Sequence, residues 1–278
     1  MKKLTSIKSN VNKLNLYLKL AKRRALFLTI CVVLVLAVFT VLWKEPIGTF
    51  LWNNLKLADT ALLLNRDHNL ALKIGNYYFN VYQDGVYDLK KAETYFNKAL
   101  EIDQKTPDAW HQLARIDFLK GDFPSALEKI NKQIEIHGDS FMASFYIRGL
   151  IEGYAGDLDG AEKDFKKFLS WDPKNWAAYN DLAWIYFKNG DYKNTEKMAE
   201  AGLKIAPQNP WLLNTLGVSL LNQNQKKEAK KYLIQAKTNA DLLKESDWHK
   251  AYPGNDPKSA QRGLESMKKT IQLNLSLL

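Results

Sequence analysis

The feature that most constrains this fold is a block of sequence that recurs about every 34 residues. The block reads Gly-Asp-apolar-x-x-Ala at residues 121–126 and 156–161, and Thr195 replaces its alanine in the third copy. Weaker copies end at Ala92 and Ala229. The five final positions, 92, 126, 161, 195 and 229, are separated by 34, 35, 34 and 34 residues. Such a period predicts a repeat protein in which each unit is one supersecondary element.

Each period has the pattern of two short helices joined by a turn. The Gly-Asp pair predicts the turn, and apolar residues follow it at helical spacing. One hairpin cannot bury its apolar face alone, so the five units are expected to stack around a shared core. In the first unit the turn is longer, around residues 81–85. A small residue lies twelve positions before the end of the other four blocks, at Ala114, Gly149, Ala183 and Gly217.

Two units carry a recognisable set of residues. The unit near Pro107 contains Trp110, Leu113, Ala114, Gly121, Asp122, Phe123, Ala126 and Ile130. The unit near Trp176 contains Tyr179, Leu182, Ala183, Tyr186, Gly190, Asp191, Tyr192 and Pro207. At this spacing the chain resembles the tetratricopeptide repeat (TPR) family. The departures from the family pattern are the longer first turn and the replacement of alanines by Thr195 and Gly202.

The resemblance implies an all-α fold, a right-handed superhelical TPR solenoid of about five helical hairpins with capping helices. The solenoid is expected over residues 69–240, with a capping helix at 47–68 and a connector and C-terminal capping helix at 241–278. The connector is expected to be turn-rich around 248–254. Its last helix should start at Asp256-Pro257, an N-cap followed by proline. The units are expected at about 69–106, 107–141, 142–175, 176–209 and 210–240.

Residues 25–43 are nineteen consecutive uncharged, mostly apolar residues. A helix of this length spans roughly 28 Å, which is close to the hydrocarbon thickness of a bilayer. Trp43 is placed as an interfacial aromatic, and Pro46 is expected to end the helix. We interpret the segment as a single transmembrane helix. The alternative is a cleaved signal peptide, which the length of the run and the lack of a small-residue cleavage site disfavour.

The formal charge of +10 comes mainly from the N-terminus. Residues 1–24 hold eight basic residues and no acidic one, whereas the rest of the chain has 32 basic and 30 acidic residues. The body of the protein is therefore nearly neutral, which argues against nucleic acid as a partner. The basic arm should stay in the cytoplasm and place the repeats outside it, at the cell (inner) membrane. It is either an amphipathic helix on anionic lipid or a disordered tail.

The sequence carries no recognisable catalytic or cofactor motif. The four histidines fall in different units, and the single cysteine excludes multi-thiolate metal sites. No phosphate-binding, dinucleotide-binding or nucleophile-elbow motif occurs. We therefore expect no enzyme activity, no cofactor, no metal and no small-molecule substrate.

The family implies that inner positions of each first helix line a groove that binds peptides or partner helices. Phe79, Phe118 and Phe187 occupy such positions, but packing between repeats is an equally good interpretation for them. The carboxylate clamp of chaperone-binding members is missing, because the basic positions are not filled. The predicted partner-binding residues are Asn76, His111, Arg115, Tyr146, Leu150, Tyr154, Asn180, Trp184, Trp211, Asn214 and Val218.

These patterns together predict a membrane-anchored scaffold or assembly factor for protein–protein interaction. Its partners would be peptide or helical segments of other proteins. Two alternatives remain open: an extracytoplasmic holdase-type chaperone for translocated proteins, and a structural spacer or homo-oligomer. The oligomeric state and the identity of the partner do not follow from the sequence.

Overall fold

The structure is a computed structural model. It describes the backbone of residues 2–80, 86–252 and 254–278, and the side chains of these residues except 2–18, 21, 35–37 and 39–41. The chain divides into two compact units, which meet between Arg66 and Asp67. The longer first turn predicted around residues 81–85 lies outside the described residues.

The first unit consists of α1 (Lys2–Leu55) and α2 (Ala58–Leu64). The prediction that Pro46 ends the first helix is wrong, because α1 continues through it. Packing against α2 fixes the turns after the proline. Gly48 lies so close to Ala61 that a Cβ atom on Gly48 would be 2.6 Å from the Ala61 carbonyl oxygen, and Trp52 is fully buried. These contacts offset the backbone hydrogen bond that proline cannot make.

The capping helix predicted at residues 47–68 is instead divided between the end of α1 and the whole of α2. Lys56 has a left-handed backbone, with φ of 55°, and this conformation ends α1. A new helix begins at Ala58, and the chain leaves it at Leu64. A side-chain hydrogen bond from Asn65 Nδ2 to Thr49 Oγ1, 3.1 Å long, ties the two helices together.

The described apolar side chains of residues 25–43 are largely exposed, for example Phe27 at 66% and Leu42 at 67%. Among the residues that the structure describes, no helix is both long and apolar enough to cross a membrane. Within the predicted span, the side chains of residues 35–37 and 39–41 lie outside that description. The membrane-spanning helix stays a prediction. The backbone of residues 2–24 belongs to α1.

The second unit is a series of five helical hairpins followed by two further helices, and the all-α hairpin prediction is confirmed. Each hairpin packs on the next through its second helix. Short 3₁₀ turns lie at Gly138–Phe141 and Pro257–Ser259. The helices are α3 (His68–Tyr78), α4 (Leu89–Ile102), α5 (Ala109–Lys120), α6 (Phe123–His137), α7 (Ala143–Ala155), α8 (Leu158–Trp171), α9 (Trp176–Lys188), α10 (Tyr192–Ile205), α11 (Pro210–Asn222), α12 (Lys226–Asp241), α13 (Glu245–Ala251) and α14 (Ala260–Ser276).

In the second, third and fourth hairpins a Gly-Asp pair makes the turn, and its two residues have different roles. Gly156 takes a left-handed backbone, with φ of 100°, and ends the first helix, as glycine does without steric cost. Asp157 then caps the second helix by accepting a hydrogen bond from the backbone N–H of Gly160 at 3.0 Å. The same arrangement occurs at Gly121-Asp122 and Gly190-Asp191.

Small residues let the two helices of a hairpin approach closely. A Cβ atom on Gly217 would lie 2.6 Å from the Leu233 side chain, and one on Gly149 would lie 3.3 Å from Phe165. Ala161 is fully buried at the same contact as Gly149. Larger side chains at these positions would push the helices apart.

The C-terminal region differs in part from its prediction. Asp256 caps the turn before α14, as predicted. Ala260, Leu264 and Ile271 of α14 are buried. The segment expected to be turn-rich, however, begins as a helix, α13. At its start, Asp247 Oδ2 accepts a hydrogen bond from the backbone N–H of Lys244 at 3.0 Å.

Candidate functional site

The inner faces of α3, α5, α7, α9 and α11, which we call the groove, carry the residues predicted to bind a partner. A polar contact links consecutive repeats there. The Tyr146 hydroxyl donates a hydrogen bond to Asp181 Oδ2 at 2.5 Å, and the Thr215 hydroxyl donates one to Asn180 Oδ1 at 3.1 Å. Burial raises the pKa of Asp181 to about 6, although the hydrogen bonds from Tyr146 and Asn180 oppose the rise.

Arg115 on α5 is the basic centre of the groove. Its Nη1 donates to Gln112 Oε1 at 2.8 Å, and its guanidinium lies 4.9 Å from the ring centroid of Phe79. Burial lowers the pKa of Arg115, against the opposite influence of Asp108. Burial likewise raises the pKa of Asp108. A buried guanidinium of this kind suits backbone carbonyls or a carboxylate on a ligand.

Two predicted groove residues are buried among protein atoms. Asn76 is 5% exposed and His111 is 6% exposed. His111 Nδ1 lies 3.1 Å from the hydroxyl of Ser144 on the next repeat. Burial, together with the positive charge of Arg115, lowers the pKa of His111 to about 3. In this conformation, therefore, both residues contact the protein and are not open to a partner.

Aromatic side chains form a continuous row along the groove, which we call the aromatic row: Phe118, Tyr154 and Trp184 on first helices, with Phe123 beside them at the start of α6. The Tyr154 ring lies 5.3 Å from Phe118 and 4.9 Å from Trp184, centroid to centroid. Tyr154 is 55% exposed, although it contacts three other aromatic rings. An exposed tyrosine supported in this way offers an apolar surface that costs little side-chain entropy on binding.

The remaining predicted residues have different roles. Phe79 is fully buried, so packing is the correct interpretation for it, whereas Phe118 and Phe187 are half-buried. Leu150 packs against the core of the third and fourth repeats. Asn214 Oδ1 accepts a hydrogen bond from Asn274 of α14 at 2.9 Å, so this side chain already has a partner in the C-terminal helix. Val218 is half-buried.

The protein's own C-terminal segment lies in the groove. We call this segment the strap: α13 with Tyr252 and residues 254–256. The Trp211 ring lies 6.2 Å from Trp248 and 6.1 Å from Tyr252. A Cβ atom on Gly254 would lie 2.3 Å from Arg115 Nη2 and 3.5 Å from Phe79 Cζ. The strap therefore reaches from the fifth repeat to the first two.

Sequence reasoning missed the strap and its acidic neighbour Asp181. The four-residue spacing of Trp248 and Tyr252 was the available signal, since it places both rings on one side of a helical turn. Their ring centroids lie 4.4 Å apart. No local sequence pattern indicated that these two rings would contact Trp211, because Trp211 lies more than 30 residues earlier in the chain.

A second concave feature lies between α8, α9 and α10, with a volume of about 540 Å³. Two of its charged groups, Glu162 and Lys166, pair with each other. Glu162 accepts hydrogen bonds from the Tyr186 hydroxyl at 3.0 Å and from Lys166 Nζ at 2.5 Å. Across the residues that the structure describes, no group of three or more His, Cys, Asp or Glu side chains could hold a metal ion.

Two family models described as "Tetratricopeptide repeat" match parts of this unit. One covers residues 165–196, and the other covers residues 88–106 and 143–175. Human "Tetratricopeptide repeat protein 6" is 28% identical over 125 residues, and "TPR repeat-containing protein MJ1428" of Methanocaldococcus jannaschii is 34% identical over 131 residues. These alignments cover 45% and 47% of this chain but only 24% and 22% of the relatives.

A third relative is named as an enzyme. Human "Protein O-mannosyl-transferase TMTC3" is 23% identical over 145 residues, which are 51% of this chain and 16% of that protein. The chain thus spans less than a quarter of the length of each relative that it matches. Because only 16% of TMTC3 is matched, its transferase activity is not assigned to this chain.

Solved structures show the same fold. The MamA protein aligns with a TM-score of 0.53 at 16% identity, over 67% of this chain and 95% of MamA. YrrB, described as a TPR protein with an unusual peptide-binding site, aligns with a TM-score of 0.53 at 16% identity, over 75% of this chain and 98% of YrrB. The family models thus identify tetratricopeptide repeats within residues 88–106 and 143–196, and the solved structures show that the array of helical hairpins has the same fold.

Proposed function

We propose that this protein is a scaffold or assembly factor that binds peptide or helical segments of other proteins in the groove. The aromatic row is the observation that carries the proposal. Tyr154 stays 55% exposed beside Trp184, so a partner would bury it without rearranging the repeat core. Recognition by positioned aromatic and amide side chains needs no chemical step. The function proposed is therefore binding rather than catalysis.

Photo-crosslinking in the full-length protein tests this proposal. A photoreactive amino acid replaces Tyr154 in one variant and Trp184 in another, and the products are identified by mass spectrometry. Lys166 serves as the control position, because its side chain is 57% exposed but belongs to the polar cavity outside the groove. One or two defined partners captured from the groove positions and absent from the control are expected.

Other outcomes would point to the other functions that the sequence left open. A broad set of unfolded chains would indicate a holdase. Crosslinks to other copies of the protein alone, or no groove-specific products, would contradict the scaffold and favour a spacer or homo-oligomer.

We further propose that residues 25–43 anchor the protein in the cell membrane, with the N-terminus in the cytoplasm and the repeats outside it. The uncharged run, the basic residues before it and the exposed apolar side chains such as Leu26 and Phe27 support this placement. An anchor would raise the local concentration of the groove near membrane partners. Contact of the basic arm with anionic lipid is part of the same proposal.

Protease protection in sealed vesicles tests the orientation. A tag after Leu278 should be located on the side opposite the cytoplasm. Reversal of the charges of Lys22, Arg23 and Arg24 should reduce or invert that orientation, because the basic excess sets it. A cytoplasmic tag in the unmodified protein would contradict the proposed topology.

A further inference from the structure

The strap occupies the positions that a bound peptide would take. Trp248 and Tyr252 present two rings, four residues apart, to Trp211 of α11. Gly254 is buried and lies directly on Arg115 and Phe79. Two of the contacted positions, Arg115 and Trp211, belong to the predicted binding set. The negative charge of Asp181 raises the pKa of both Tyr146 and Tyr252, so it acts on the groove and on the strap. The groove thus holds part of its own chain.

The absence of a side chain lets Gly254 take this backbone conformation so close to Arg115. Its φ of +92° is in the left-handed region, and a Cβ atom would enter the space of the Arg115 guanidinium. Gly156 also has a positive φ, of +100°, but nothing lies within 4 Å of the Cβ position there. The two glycines therefore share the backbone requirement and differ only in the close approach to the groove.

The strap is held less firmly than the repeats that it contacts. Its helix has seven residues, too few to be stable without tertiary contacts. Tyr252 is still 37% exposed, and α13 has no fully buried residue. The following helix, α14, packs on α12 through Ile271. It also contacts the strap, since a Cβ atom on Gly263 would lie 2.1 Å from the Trp248 ring. Release of the strap from the groove would leave the contacts of Ile271 with α12 in place, so α14 keeps a docking site of its own.

We propose that the strap is an intramolecular ligand of the groove, displaced by a partner peptide of the same chemistry. That peptide carries two aromatic side chains four residues apart, which contact Trp211, followed by a glycine turn whose backbone lies on Arg115. This inference deepens the proposed function and rests on the groove being a binding site. The tethered strap lowers the apparent affinity of a partner by the fraction of molecules in which the groove is open.

The test measures binding of a labelled peptide with the sequence of residues 245–257 to the full-length protein by fluorescence anisotropy. Gly254→Val should expel the strap, because valine fits neither the backbone conformation nor the space above Arg115. The peptide is expected to bind Gly254→Val at least tenfold more tightly than the unmodified protein. Gly156→Val, the matched control, should bind it as the unmodified protein does.

A second variant controls for the possibility that Gly254→Val acts by misfolding the protein. Replacement of residues 245–256 by a Gly-Ser linker of equal length removes the strap without any collision, and it should give the same gain in affinity. A peptide carrying the Gly254→Val change should lose binding to both open variants. Equal binding to the open and unmodified proteins, or no binding to the linker variant, would overturn the inference.

The peptide-binding test of the strap and the crosslinking test of the scaffold can give different answers. Tight peptide binding by the open variants with no partner captured at Tyr154 or Trp184 would leave the strap as a groove ligand and remove the scaffold. Partners captured at Tyr154 or Trp184, with no peptide binding by the open variants, would support the scaffold and rule out the strap as a groove ligand.

Discussion

Tyr146 on α7 donates a hydrogen bond to Asp181 on α9 across 2.5 Å, and this contact joins the third and fourth repeats at the groove. Both residues lie on first helices, whereas most packing between repeats runs through the second helix of the preceding unit. The groove is therefore held by its own polar contacts as well as by the core. Because Asp181 is nearly enclosed, its charge depends on that hydroxyl for compensation.

Replacing Tyr146 by phenylalanine should destabilise the protein by about 1–3 kcal/mol at pH 7, since a buried carboxylate loses its donor. The loss should shrink at pH 5. The pKa of Asp181 is raised to about 6, so the folded state takes up a proton as the pH falls through 6 and the uncompensated charge disappears. Urea unfolding at the two pH values measures the difference. Tyr154→Phe, at an exposed tyrosine, is the control and should change stability little.

The buried His111 predicts a loss of stability in mild acid. Burial, with help from Arg115, lowers its pKa to about 3, so the unfolded state binds a proton near pH 6.5 and the folded state does not. His111 should therefore cost about 2 kcal/mol of stability between pH 8 and pH 5. His111→Asn should abolish this part of the pH dependence. Parallel acid profiles for the two proteins would contradict the assignment.

Ala161 marks the closest approach of α7 and α8. It is fully buried, and a Cβ atom on Gly149 would lie 3.3 Å from its carbonyl oxygen. Ala161→Leu should overpack this contact and lower the free energy of unfolding by about 1–3 kcal/mol. Ala155→Leu adds the same volume at an exposed position of the same hairpin and should be nearly neutral. An unchanged melting temperature for Ala161→Leu would be inconsistent with the packing described.

The ion pair of Arg148 and Asp164 should matter more than those on the surface. Arg148 Nε and Nη2 contact the two carboxylate oxygens at 2.6 and 2.9 Å, and the Asp164 side chain is only 3% exposed. Arg148→Met leaves a buried charge unpaired and should cost about 3 kcal/mol. Lys237→Met removes a partner of the half-exposed Asp241 and should cost less than about 1 kcal/mol. Equal losses in thermal or urea unfolding would contradict this ranking.

The sequence by itself determined the repeated hairpins, because their signals are local. Gly156 is needed where the backbone is left-handed, and Asp157 where the next helix needs a cap. A small residue at 161 is needed where two helices approach within one hairpin. Each requirement is set by residues a few positions apart, and it recurs with the period. The five helical hairpins could be predicted for that reason.

Only the tertiary structure decided how those hairpins are used. Local rules predict that α1 ends at Pro46. The helix continues through Pro46 because Gly48, in the next turn, packs on α2. The acidity of Asp181 depends on burial produced by other repeats. The strap reaches Arg115 from Gly254 across most of the solenoid, and no periodic pattern encodes a contact made once between distant segments. The sequence could thus predict that a groove exists. That the strap occupies it, and that Asp181 and Arg115 are buried there, could be seen only in the folded structure.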